Sequence, residues 1–202
     1  MQLALSIAAA MIGLYASHTH WTPLLTIAVG VAVFAVAVEA AAQRSEDRLP
    51  AAAIDRWLAR STSAGVAAGL MGGPFTLARL GGGALWPLAF VVLGACLRAS
   101  AIATLGGDFT SDGEAPEALT TSGLYARLRH PSELGLLLLS GGFALAAPSA
   151  LVVTGLVTVA VTSALRIRRE DRALSRRFGS AYRAYARRVP ALLPSRAAST
   201  GR

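Results

Sequence analysis

Two clusters of ionisable residues flank one long apolar run. The first is Thr121-Ser122-Gly123-Leu124-Tyr125-Ala126-Arg127-Leu128-Arg129-His130-Pro131-Ser132-Glu133-Leu134-Gly135, and the second is Arg166-Ile167-Arg168-Arg169-Glu170-Asp171. The 32 residues 134–165 between them are apolar. A single helix of that length would reach about 48 Å, well beyond the ~30 Å of a bilayer's hydrocarbon. Pro148, among small residues, divides the run into two helices of roughly 16 residues, each reaching about 24 Å. A tight helical hairpin is expected, and a hairpin returns its ends to one side. Arg129, His130 and Glu133 should therefore lie near Arg166 and Glu170. A guanidinium can orient a carboxylate through a bidentate pair. A carboxylate can take the proton of an amine. Brought together at the mouth of a helix bundle, such groups form a polar pocket.

Each of these residues also has a plainer reading. Arg129 and Arg166 flank apolar helices. Pro131 suits the first position of the following helix, with His130 just before it. Glu133 sits where a helix macrodipole favours an acid. Glu170 is placed to pair with Arg166 at i, i+4. Arg98 is harder to dismiss, because a cation inside a span costs on the order of several kcal/mol unless it snorkels or pairs. Glu39 is a possible partner. Glu114, Glu117 and the loop aspartates read as solvated. His18 and His20 read as interfacial, with nothing beside them to complete a metal site.

The elements that must hold these groups are apolar helices. Of 202 residues, 54% are hydrophobic and 15% charged, against roughly 45–50% and about 25% in soluble domains. Mean hydropathy is +0.53. Such a composition excludes a disordered chain and argues against a soluble enzyme. The single cysteine, Cys96, rules out an intrachain disulfide and a paired-cysteine metal site. The expected fold is all-α: a polytopic membrane bundle of about six (five to six) transmembrane helices, with a C-terminal helical hairpin and an amphipathic C-terminal helix. The apolar stretches are 2–17, 22–42, 62–78 and 84–105, followed by the two arms of the hairpin. A polar stretch, Arg44 to Arg60, and Gly81-Gly82-Gly83 interrupt them. Three regions are expected: membrane helices over 1–105, a loop, hairpin and amphipathic helix over 106–194, and a disordered tail over 195–202.

The charge sum is +8, and all 19 basic residues are arginine. Nucleic acid is not the expected partner, because the arginines sit at the ends of apolar runs and in the C-terminal part, as at an anionic membrane surface. With six spans and the N-terminus inside, 17 of the 19 fall in the inner segments 43–60, 106–131 and 166–202. This bias predicts a cytoplasmic site. Beyond Arg166, the residues Leu174, Phe178, Tyr182, Tyr185 and Val189 recur at helical intervals between arginines, which reads as an amphipathic helix at the membrane surface. Gly179 is a possible interruption, and Pro190 and Pro194 end it.

The combination of motifs resembles the isoprenylcysteine carboxyl methyltransferase family, within the wider group that includes phospholipid N-methyltransferases. The similarity runs from Gly94-Ala95-Cys96-Leu97-Arg98 through Thr104-Leu105-Gly106, Phe109, Thr121-Ser122-Gly123-Leu124-Tyr125, the Arg129-His130-Pro131 triplet and Gly135. It resumes at Arg166-x-x-x-Glu170-Asp171, Phe178-Gly179-x-x-Tyr182-x-x-Tyr185 and Arg188-Val189-Pro190-x-x-x-Pro194. The resemblance covers residues 94–194. It implies an integral membrane methyltransferase using S-adenosyl-L-methionine, with Tyr125, His130, Pro131, Gly135, Glu170 and Asp171 at the cofactor and Arg129, Arg166 and Glu170 at the reaction centre. Glu133 and Arg98 are the expected acceptor contacts. The family motif reads Arg-His-Pro-x-Tyr-x-Gly; here Glu133 replaces the tyrosine, removing an aromatic wall and adding a charge. Asp171 replaces a second glutamate.

The implied acceptor is a lipidic or isoprenoid molecule entering from the bilayer, with a carboxylate or an amine as its reacting group. The all-arginine usage points to a GC-rich bacterial genome, and so to a bacterial inner membrane. Two other readings compete. Membrane sterol reductases resemble this family in their C-terminal half and use NADPH, but their paired tryptophans ahead of an Arg-His motif have no match here. A membrane scaffold that has lost catalysis is compatible with Glu133.

Overall fold

The computed structural model describes residues 53–79, 85–105, 118–146 and 148–193, together with the helical positions Gly30, Val33, Val36 and Ala37. Among the described residues four helices are complete: α1 (Ala53–Arg79), α2 (Leu85–Leu105), α3 (Pro131–Ala146) and α4 (Ala150–Arg188). A 3-10 turn, Gly123–Ala126, precedes α3. Among the described residues there is no strand, and the described fold is all-α.

Local chemistry sets the helix ends. Pro131 opens α3 without an N–H to satisfy, and the His130 carbonyl accepts from Leu134 N at 3.1 Å. The chain reverses between Ala146 and Ala150. Pro148 lies in that turn, and Ser149 caps α4 by accepting from Val152 N at 3.3 Å. Arg187 and Arg188 occupy the last turn of α4, where cations favour the macrodipole. Gly179 interrupts α4 with φ 53° and ψ −120°, a backbone state open to glycine alone.

Glycines let the helices cross backbone to backbone. A Cβ on Gly94 of α2 would stand 2.5 Å from the Gly135 carbonyl oxygen of α3, and one on Gly142 would stand 2.7 Å from the Pro87 carbonyl. Gly65 of α1 and Gly155 of α4 make a second crossing, with hypothetical Cβ contacts of 2.7 and 2.6 Å to each other's carbonyls. Small residues at such crossings are the usual basis of helix association in lipid. One turn from Gly65 and two from Gly155, Thr62 Oγ1 lies 2.9 Å from Thr162 Oγ1, buried between α1 and α4. Val91, Ala95, Leu136, Leu139, Phe143 and Val159 fill the core between the crossings.

The outer surface is apolar where a soluble protein's would be polar. Trp86, Phe90 and Leu93 on α2 and Leu151, Val153, Val157 and Val161 on α4 are exposed, while Thr62, Ser140, Thr162 and Ser163 are buried. Helices α2 and α4 are long and apolar enough to cross a membrane, and α3 is a shorter apolar helix. Polar groups turned inward and large apolar groups turned outward suit lipid as the solvent.

Two sequence expectations change. Helix α1 begins at Ala53, so part of the polar stretch Arg44 to Arg60 is helical and not a connection. The second arm of the hairpin and the basic amphipathic segment are one helix: α4 passes Arg166 without a break and bends only at Gly179. The reason is that arginine and alanine, which dominate this stretch, are strong helix formers, so a change of polarity does not end the helix. Four of the expected helices are described in full. The expected spans 2–17 and 22–42, apart from four positions, lie outside the described residues, as do Glu39, His18, His20, the acids of 106–117 and the segment 195–202.

Candidate functional site

The pairing of α3 with α4 is antiparallel, since Glu133 meets Arg166 and His130 meets Glu170. The two polar clusters therefore share one end of the bundle. The C-terminal end of α2 and the N-terminal end of α1 are at the same end, because Arg98 reaches Ser132 and Thr62 reaches Thr162. The site has an outer and an inner layer.

The outer layer centres on His130, which is buried. Its Nδ1 lies 3.2 Å from Glu170 Oε2 and its Nε2 2.9 Å from Asp171 Oδ1. With a carboxylate at each nitrogen, both nitrogens donate, so the ring is an imidazolium. Burial by itself would push the imidazole pKa down; the hydrogen bonds and charges of Asp171 and Glu170 outweigh it and raise the pKa to about 9. Burial likewise opposes the Asp171 carboxylate, yet His130, Tyr182 and Arg129 hold it below the usual carboxylate range. Arg129 Nη1 donates to both Asp171 oxygens, at 3.0 and 2.9 Å. The Tyr182 hydroxyl donates to Asp171 Oδ1. Glu170 is different: its side chain stays 41% exposed while one oxygen holds His130.

A strap from beyond the Gly179 bend holds this layer in place. Arg129 Nε donates to the Val189 carbonyl at 3.0 Å, and the backbone N–H groups of Arg129 and His130 donate to the carbonyls of Pro190 and Ala191 at 2.9 and 3.0 Å. The Tyr185 hydroxyl donates to the Tyr125 carbonyl at 2.6 Å. Burial, its largest cause, pushes the Tyr185 phenol up to about 12, so it remains a donor at neutral pH. Tyr125 is buried in the 3-10 turn. Burial and then the Glu170 charge raise its pKa as well.

The inner layer is more deeply buried. Glu133 (4% exposed) accepts from Arg166 Nη1 through Oε1 at 3.1 Å, and Arg166 is itself 8% exposed. Arg98, 1% exposed, donates from Nη1 to Ser132 Oγ at 2.7 Å. The glycine crossing explains this reach. Arg98 is one turn beyond Gly94, Ser132 is one turn before Gly135, and a Cβ on Gly135 would be 2.8 Å from Arg98 N.

The geometry assigns every predicted site residue a place. His130, Glu170, Asp171 and Arg129 meet in the outer layer; Glu133, Arg166 and Arg98 make the inner one. Pro131 starts α3, and Gly135 has a packing role at the α2 crossing. One pairing differs from expectation, that of Glu170 with Arg166. Glu133 pairs with Arg166, and Arg129 Nη1 is engaged by both Asp171 oxygens. Arg166 accordingly turns to α3, while Glu170 holds His130. Tyr182, Ser132 and the carbonyls of 189–191 were not anticipated as site groups. Tyr182 was visible in the aromatic stripe and in the Phe178-Gly179-x-x-Tyr182 motif but without a role at the site, and backbone acceptors leave no mark in a sequence.

Fold and site together define a helical membrane protein with a charged cluster at one end of an apolar bundle. The family model of phospholipid methyltransferases matches residues 84–181. Among curated proteins, the chain is similar to protein-S-isoprenylcysteine O-methyltransferase B of Arabidopsis thaliana, at 37% identity over 113 residues. That match covers 53% of this chain and 57% of the relative, so the chain spans little more than half the length of the curated protein it matches. No solved structure matches. The segment matched by the family model holds α2, α3 and most of α4, and with them both polar clusters; it is a little under half of the chain.

Proposed function

We propose that the protein is a membrane methyltransferase that uses S-adenosyl-L-methionine to methylate a carboxylate or amine on a lipidic acceptor. The observation that carries this reading is the His130 imidazolium fixed between Glu170 and Asp171 at the charged end of the bundle, inside the family-matched segment. The residues present fit the cofactor. Glu170 keeps an exposed carboxylate suited to a sulfonium or an α-ammonium group, and Tyr125 stands beside it as a buried aromatic wall. When bound, S-adenosyl-L-methionine supplies a methyl group activated by a positive sulfur.

In this reading His130, Pro131, Tyr125, Glu170 and Asp171 hold the cofactor, with Gly135 keeping α3 close to α2. Asp171 and Arg129 act by fixing His130 and the strap. Arg166, Glu133 and Arg98, in the apolar layer, face the acceptor, which enters sideways from the bilayer. The arginine-rich end of the bundle faces the cytoplasm, following the positive-inside rule, and the host membrane is a bacterial inner membrane.

Titrating the detergent-solubilised full chain with S-adenosyl-L-methionine and, separately, with NADPH tests the proposal. Binding of S-adenosyl-L-methionine alone is expected, lost in Glu170→Ala and retained in Arg127→Ala, an exposed residue outside both layers. Binding of NADPH, or of neither, would overturn it.

A further inference from the structure

Glu133 stands where the family motif carries a tyrosine, and its surroundings give that exchange a consequence. Its carboxylate is buried within the first turn of α3. Oε1 accepts from Arg166 Nη1 at 3.1 Å, whereas Oε2, equally buried, has no hydrogen-bond partner. Ser163 is beside it, yet even with that hydroxyl turned inward Oε2 keeps a second lone pair. A buried carboxylate oxygen without its full set of donors is costly, and a donor from a ligand relieves that cost. Two inner-layer guanidiniums place their charge on this carboxylate, Arg166 first and Arg98 after it; Glu133 Oε1 already occupies Arg166 Nη1, and Ser132 takes Arg98 Nη1.

We infer that Glu133 sets the charge of the acceptor head group: by occupying Arg166 and leaving Oε2 open, it admits an amine and rejects a carboxylate. An amine donates N–H to Oε2 in either protonation state. A carboxylate would have to displace Glu133 from Arg166 while standing beside it, and like charges repel strongly where water is excluded. The inference deepens the methyltransferase reading and rests on it. It also separates this chain from its curated relative, which is named an O-methyltransferase.

The test uses two probes of equal chain length, dodecylamine and dodecanoate, bound to the cofactor-free full chain in a neutral detergent and followed by native mass spectrometry. Wild type is expected to bind the amine at least tenfold more tightly than the carboxylate. Glu133→Gln is expected to erase or invert that preference by releasing Arg166. If Glu133→Gln does not fold, the double variant Glu133→Gln/Arg166→Gln removes both charges and is expected to show no preference. Equal or tighter binding of dodecanoate by wild type overturns the inference, as does an amine preference that survives in either variant. S-adenosyl-L-methionine binding, measured on the same samples, separates the two levels. Cofactor binding without an amine preference refutes only the role of Glu133. Failure to bind the cofactor removes the methyltransferase reading and the inference with it.

Discussion

His130 offers the sharpest test of the site's electrostatics. Its two carboxylates raise its pKa from 6.5 to about 9, which corresponds to on the order of 3 kcal/mol of differential stabilisation of the charged form. The part of the Asp171 lowering that His130 causes is this same interaction and is not counted again. The sign follows from linkage. A pKa raised in the folded state contributes stability that is fully present below the unfolded value and is lost as pH rises through the folded one. Between pH 6.5 and about 9 the contribution should fade progressively. For a chain of this size, that amounts to a drop of about 6–12 °C in thermal midpoint, if other groups are silent. The sequence has three histidines, His18, His20 and His130, so imidazole NMR on selectively labelled protein can resolve them. One resonance should titrate near 9, vanish in His130→Gln and move down in Asp171→Asn. If all three titrate near 6.5, or if Asp171→Asn leaves the high one in place, the doubly bonded imidazolium is refuted.

Three further outcomes are expected. Gly94→Ala should prevent stable packing of α2 on α3, because its Cβ would lie 2.5 Å from backbone atoms of Gly135 and Leu139, whereas Gly141→Ala, with nothing within 4 Å, should be neutral or slightly stabilising; thermal unfolding in detergent distinguishes them. Arg166→Met should cost about 3–5 kcal/mol by leaving the Glu133 charge buried without its partner, and the double change with Glu133→Gln should recover much of that loss. Cysteines placed at Ser111 and Ser199 in a Cys96→Ala background should resist an impermeant label in intact cells and react after lysis; labelling from outside would reverse the proposed orientation.

Particular residues show how far the sequence could be read. Pro148 and the Ser149 cap mark the reversal between α3 and α4 because proline and a capping hydroxyl act locally, within a few residues of the turn they make. The gathering of the two clusters follows from that reversal alone. The partners inside the gathering do not. Whether Glu133 faces Arg129 or Arg166 depends on how α3 is rotated about its axis, and that rotation is set by the contact of Gly135 with Gly94 on another helix. A glycine can be seen in a sequence, but the carbonyl it will lie against cannot. The continuity of α4 through Arg166 was hidden for a different reason: its composition changes from lipid-facing to water-facing while its helix propensity does not.

The strap also fixes an order of events during biosynthesis. The backbone N–H groups of Arg129 and His130 find their acceptors at Pro190 and Ala191, sixty-one residues later in the chain. When α3 first reaches the membrane, those acceptors have not yet been synthesised. The hairpin can therefore insert before its charged end is organised, and the His130 cluster closes only after α4 has been made, bent at Gly179 and folded back. A ribosome halted between α3 and residue 190 would leave an inserted hairpin with an open site. Nascent chains of increasing length should thus gain membrane integration first and protease protection around Arg129 and His130 in a later, separate step.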